Sequence, residues 1–187
     1  MMKTTALVAA VSALFAMPVI AADLDDISNF REYSDVFASS GQPSGKQLKA
    51  LESEGYRRIV YIAYSDHDNS LDNEDRLVKE LGMEYVHIPV EWSAPTRSDF
   101  HLFAAALQSE PEKKTLLHCQ VNFRASAFAF LYRVIYQGVP VQEAKADMNS
   151  VWEPNETWRD LIFAVLKEHD ISPDCDGCDW SVKEMRH

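Results

Sequence analysis

Past its first 22 residues the chain has no long apolar run, no cluster of basic residues and almost no cysteine. Each shortage excludes something. A bilayer-spanning helix needs ~20 consecutive apolar residues, and no later segment comes near that length, so membrane insertion of the mature chain is not expected. With 18 Lys and Arg against 29 Asp and Glu, the net charge is -11. That field repels nucleic acid and anionic membrane surfaces, so neither is an expected partner. Any phosphate must then be held by local geometry. Three cysteines, Cys119, Cys175 and Cys178, are too few for a disulfide scaffold. The pair in Cys175-Asp176-Gly177-Cys178 is half a zinc site, with no second pair and no histidines at ligand spacing. No cofactor or metal is expected. Internal repeats, low-complexity tracts and interdomain linkers are also lacking.

The apolar run that is present stands at the start. Lys3 precedes Leu7 to Ile20, and Val19-Ile20-Ala21-Ala22 supplies small residues ahead of Asp23-Leu24-Asp25-Asp26. This is the pattern of a signal peptide over residues 1–22, cleaved after Ala21 or Ala22. It implies a periplasmic or secreted protein. Removing it takes Lys3 away and leaves about 165 residues at a charge of about -12, suited to one domain, 23–187, with a C-terminal tail from about 171. Oxidising surroundings then allow Cys175 and Cys178 to close on each other, or one of them to reach Cys119.

Strand and helix signals alternate along the rest. Tyr33 to Ala38 suggests a first strand, and Ser44 caps a helix through Leu48 and Leu51 that stops at Gly55. Strands are expected over Arg58–Tyr64, Glu84–Val90 and Thr115–His118. Helices are expected over about Asn73–Leu81, Ser98–Ser109, Ala125–Gln137, Val141–Asn149 and Glu156–Glu168. The alternation predicts an α/β fold with a mainly parallel central sheet flanked by helices. Loops 65–70, 91–97 and 119–125 should open on the carboxyl edge of that sheet, where such folds bind ligands.

The chemistry concentrates in Leu116-Leu117-His118-Cys119-Gln120-Val121-Asn122-Phe123-Arg124-Ala125-Ser126. An apolar strand ends at a thiol, and an arginine follows five positions later as a helix begins. Helix N-termini bind anions through unpaired N–H groups, and a cysteine placed there loses its proton readily. Oxyanion chemistry on a thiolate is the reading these residues carry.

Four segments in this order give the chain a family likeness: Ser40-Gly41-Gln42-Pro43-Ser44, Gly55-Tyr56-Arg57-Arg58-Ile59-Val60, His87-Ile88-Pro89-Val90, and His118-Cys119 through Ser126. Over roughly Val36 to Trp158 it resembles the bacterial tyrosine phosphatase-like proteins of the dual-specificity phosphatase superfamily, and most of all the beta-lactamase-hydrolase-like phosphatases. The resemblance implies a cysteine phosphatase-like fold and a cofactor-free hydrolase of phosphotyrosine-like or small phosphate monoesters, with a phosphorylated small molecule or phosphoprotein as substrate. Cys119 would attack phosphorus and form a cysteinyl-phosphate. Arg124 would grip two nonbridging oxygens, and the N–H groups of Gln120, Val121, Asn122, Phe123, Arg124 and Ala125 would complete the cradle. Ser126 would hydrogen-bond the departing thiolate, and His118 would orient the loop from below.

Two departures from the family pattern leave alternatives open. Four residues, not five, separate Cys119 from Arg124. That is also the loop length of rhodanese-like sulfurtransferases, in which Cys119 would carry a persulfide. Counting places Trp92 where the family carries its general acid, so Glu91, Asp66, Asp68 or Asp99 must serve, or the protein binds oxyanions without turnover. Oligomeric state and physiological substrate are not legible.

Overall fold

The computed structural model describes residues 24–181; residues 1–22, read from the sequence as a signal peptide, lie outside the described residues. Among these residues, five strands build one sheet: β1 (Arg31–Ser34), β2 (Phe37–Ser40), β3 (Arg58–Tyr61), β4 (Glu84–His87) and β5 (Thr115–His118). Their order is β1-β2-β5-β3-β4. β2, β5, β3 and β4 run parallel, and only the edge pair β1–β2 is antiparallel. The single first strand expected over Tyr33–Ala38 is therefore two strands. The chain turns through Asp35 and Val36, where the Ser34 hydroxyl accepts from Val36 N–H, and Ser34 pairs with Phe37.

Among the described residues, six α-helices flank the sheet: α1 (Gly45–Ser53), α2 (Glu74–Glu80), α3 (Arg97–Gln108), α4 (Phe123–Tyr136), α5 (Val141–Asn149) and α6 (Glu156–Glu168). Capping fixes several starts. Ser44 and Gln47 bond reciprocally ahead of α1, Thr96 and Asp99 do so ahead of α3, and Asn155 accepts from Trp158 N–H ahead of α6. Gly55 follows α1 at φ 89°, a left-handed geometry that a side chain would strain.

Neighbouring residues on a strand point to opposite faces, and here that divides the core. Phe37, Val60 and Leu117 meet Phe100, Phe103, Phe128 and Trp158 on one side. Ala38, Ile59 and Leu116 meet Leu48, Leu51 and Val78 of α1 and α2 on the other. α4 lies against β2 and β5 and is covered in turn by α5 and α6. Ten of its residues are buried, so the strand and helix on either side of Cys119 are both interior.

Because β2, β3, β4 and β5 are parallel, the segments that follow them all leave from one edge. That edge gathers residues 41–44, 62–73, 88–96 and 119–122. The two cysteines of the tail, Cys175 and Cys178, are disulfide-linked, and Cys119 is the free one. Among the described residues, no helix is long and apolar enough to cross a membrane.

Candidate active site

Cys119 sits at the end of the central strand and is fully buried. Its N–H donates to the Ser40 carbonyl at 3.3 Å, and the carbonyl of His118 accepts from Ile62 N–H at 3.0 Å. The nucleophile position is thus tied to the strand on each side. The loop beyond it is held from outside. Gln42 N–H donates to the Gln120 carbonyl at 3.1 Å. Asn122 Nδ2 donates to the Asn29 carbonyl at 2.6 Å, and Asn29 Nδ2 returns a bond to the Val121 carbonyl at 3.0 Å.

Two residues in this clasp meet special backbone demands. Asn122 adopts φ 72°, a left-handed conformation Asn tolerates better than most residues, and it turns the chain into α4. Gly41 is squeezed between Ser28 and the loop: a Cβ there would stand 2.9 Å from the Gln120 carbonyl oxygen and 2.9 Å from Ser28 Cβ. Only glycine allows the two segments this approach.

α4 starts two residues earlier than its sequence suggests, at Phe123 rather than about Ala125, and its first internal bond runs from Ser126 N–H to the Asn122 carbonyl at 2.8 Å. The N–H groups of Phe123, Arg124 and Ala125 precede that bond and have no acceptor within the helix. They lie at the positive end of the helix dipole, directly after the loop residues Gln120, Val121 and Asn122.

Arg124 is half-buried and engaged on three sides. Nε donates to the Val90 carbonyl at 3.1 Å, and Nη1 donates to Gln120 Oε1 at 2.7 Å. Its guanidinium also lies over the Trp92 ring, 5.2 Å from the centroid. The Gln120 side-chain oxygen takes one N–H of Nη1 and the Val90 carbonyl takes that of Nε, which leaves the other Nη N–H groups to meet an oxyanion. Trp92 itself is locked in place. Its carbonyl accepts from Trp158 Nε1 at 3.0 Å, and its ring packs on Trp152, Trp158 and Phe123 at 5.3, 5.4 and 6.4 Å.

The candidate proton donors are scattered. Glu91 is exposed and turned back on Ser93, accepting from its N–H at 3.2 Å and its hydroxyl at 2.9 Å. Those bonds, with a smaller contribution from the Arg124 charge, hold its carboxyl below the ordinary carboxylate range. An acid held ionised is a poor proton donor near neutral pH. Asp66 and Asp68 lie exposed in the loop after β3. Asp99 is consumed as the reciprocal cap of Thr96, at 2.8 and 2.9 Å. Ser126 is buried, donates to the Phe123 carbonyl at 3.1 Å and accepts from Trp152 Nε1 at 3.1 Å. Its one proton is committed in this state, so it must rotate to reach a thiolate.

Sequence reading did not find the asparagine clasp, the Trp92–Arg124 stack or the Trp152–Ser126 bond. Trp92 carried one signal, its place in the loop where an acid is expected. Asn29 carried none, being 93 residues from its partner Asn122.

The family model described as "DSP-PTPase phosphatase fused to NAD+ Kinase" matches residues 11–164. A DUF442 protein of Shewanella putrefaciens CN-32, assigned to the phosphatases, has 30% sequence identity and a TM-score of 0.73. The alignment covers 78% of this chain and 96% of that one. P. aeruginosa TpbA, in complex with phosphotyrosine, shares the fold at 17% identity and a TM-score of 0.60, over 82% of this chain and 99% of that one. PTPMT1 in complex with PI(5)P does so at 15% identity and a TM-score of 0.65, over 75% and 96%. A comparison with curated proteins finds no match. The family match over most of its length, with the cysteine–arginine loop at the carboxyl end of a central parallel strand, places the chain among the bacterial tyrosine phosphatase-like hydrolases of the dual-specificity phosphatase superfamily, and it belongs to that family.

Proposed function

We propose that the protein is an exported, cysteine-dependent phosphatase that hydrolyses phosphotyrosine-like monoesters through a cysteinyl-phosphate. The observation that carries this reading is the single loop in which Cys119 stands at the floor and Arg124 opens the helix above it. The thiolate of Cys119 attacks phosphorus, a sulfur–phosphorus bond forms and the ester oxygen leaves. Water then attacks the same phosphorus, releasing inorganic phosphate and regenerating the thiolate. Phosphoryl transfer requires mainly positioning and charge stabilisation, and the helix-start N–H groups and the Arg124 fork supply both.

The substrate class follows from what surrounds Arg124. Trp92 stands where a proton donor would, and Glu91 is held ionised by Ser93. A leaving oxygen must then depart with little help, which favours phenols over alkyl alcohols. The aromatic wall of Trp92, Phe123 and Trp152 offers such a ring an apolar neighbour. Hydrolysis of para-nitrophenyl phosphate should outpace that of glycerol 2-phosphate by about 10²-fold or more, the factor a missing general acid costs. Comparable rates on the two esters would mean that a donor exists, and would overturn the assignment of substrate class.

A second reading has one observation in its favour: the four-residue spacing between Cys119 and Arg124 suits a cysteine persulfide. It predicts thiocyanate from thiosulfate and cyanide at a rate exceeding phosphate release, measured on the same preparation. The export part of the proposal rests on the pattern of residues 1–22. Mature protein recovered from outside the cytoplasm should begin at Ala22 or Asp23, and an N-terminal sequence still starting at Met1 would defeat it.

A further inference from the structure

Behind Cys119 lies a buried polar network that the chemistry above does not use. Glu74, the first residue of α2, is only 4% exposed. Its Oε1 accepts from Gln42 Nε2 at 2.8 Å and stands 3.2 Å from His118 Nε2. Its Oε2 accepts from the Tyr85 hydroxyl at 3.3 Å. His118 is fully buried, and neither of its ring nitrogens makes a hydrogen bond. Its imidazole stacks on Tyr61 at 4.7 Å, and Tyr61 stacks in turn on His87 at 5.2 Å. These three residues are register partners on β5, β3 and β4, so the strand ladder itself builds the stack.

A buried carboxylate is costly unless it is paired. A glutamine would tie Gln42 and Tyr85 together at less expense, so acceptor geometry alone gives no reason for a charge here. What the charge does face is His118, the residue bonded to the nucleophile. Gln42, which donates to the same Oε1, grips the Gln120 carbonyl through its own N–H. One carboxylate therefore faces the residue immediately before Cys119 and, through Gln42, holds the chain immediately after it.

We propose that Glu74 is a positioning residue for the thiol chemistry of Cys119, acting through His118. The proposal rests on the phosphatase reading only where turnover is measured. Glu74→Gln keeps the size and the acceptor oxygen and removes the charge. His118→Asn removes the imidazole, and the double variant closes a cycle. Two rates are read: kcat with KM for para-nitrophenyl phosphate, and alkylation of Cys119 by iodoacetamide, followed by intact mass. The second is specific because Cys119 is the free cysteine, and it does not depend on the ester being a substrate.

Glu74→Gln should lower both kcat and the alkylation rate by about tenfold, the worth of a contact to a charged group, with KM within about twofold. In the His118→Asn background the same change should cost less than about twofold further, because the path is already cut. Should His118→Asn not fold, Gln42→Ala replaces it as background, and there the full cost of Glu74→Gln must persist. Wild-type alkylation and turnover in Glu74→Gln would overturn the proposal. So would an undiminished cost in the His118→Asn background. A protein that hydrolyses no phosphate ester, yet loses alkylation rate on Glu74→Gln, would reject the phosphatase reading and retain this one.

Discussion

Replacing Cys119 by serine leaves a folded protein that no longer hydrolyses para-nitrophenyl phosphate, with turnover down by at least about 10³-fold. The folding part of this expectation comes from packing. The thiol is buried at the end of β5 among Leu117, Ala125 and their neighbours, and an Oγ is smaller than an Sγ, so no overpacking arises. The chemical part comes from nucleophilicity. A hydroxyl attacks phosphorus only with a general base to take its proton, and nothing in the loop offers one. Ser126 is committed to Phe123 and Trp152, and Arg124 is a cation. Oxyanion binding should survive, because the N–H cradle and Arg124 are untouched. Tungstate titration with intact-protein turnover on the same sample separates the two. Hydrolysis persisting in the serine variant would assign the activity elsewhere.

Arg124→Lys should cost roughly 10²–10³-fold in kcat/KM, the usual loss when a preorganised donor to the developing charge is removed, despite preserving charge. The guanidinium does several things at once that an ammonium cannot. Its Nε is fixed on the Val90 carbonyl, its plane rests on Trp92, and its Nη atoms form the fork that meets two phosphoryl oxygens. Lysine keeps a point charge on a flexible stem and loses that orientation. Tungstate affinity should weaken in parallel, because the fork acts on the bound anion as well as on the transition state. A lysine variant within about threefold of wild type would mean that charge alone matters at this position, and that the Trp92 and Val90 contacts are incidental.

The parts of the site legible in the sequence are those written into neighbouring residues. An apolar strand ending in His118-Cys119, small residues opening a buried helix, and an arginine five positions on all lie within one strand–loop–helix unit. Its geometry follows from local backbone rules. The same holds for the caps at Ser44 and Asn155, the glycine after α1 and the alternation of strands and helices. The disulfide at Cys175 and Cys178 likewise needs only a short turn. The hairpin of β1 and β2 was hidden because its turn, Asp35-Val36, breaks an otherwise continuous strand signal without glycine or proline.

The proton donor illustrates the other kind of question. In the sequence Glu91 and Asp99 have suitable chemistry, and nothing local separates them from a catalytic acid. The structure spends Asp99 on Thr96 and folds Glu91 back on Ser93.

By itself, then, the sequence determined the α/β fold class, the helix limits to within about two residues and the thiol–arginine loop, because propensity, capping and periodicity act over a few residues. What only the tertiary structure decided is what surrounds that loop. Asn29 clasps Asn122, Trp92 carries Arg124, and Glu74 faces His118. Each pair meets because β5 was inserted between β2 and β3. That order depends on which strand faces bury which side chains across the whole sheet, a balance of long-range contacts that no short stretch of sequence contains.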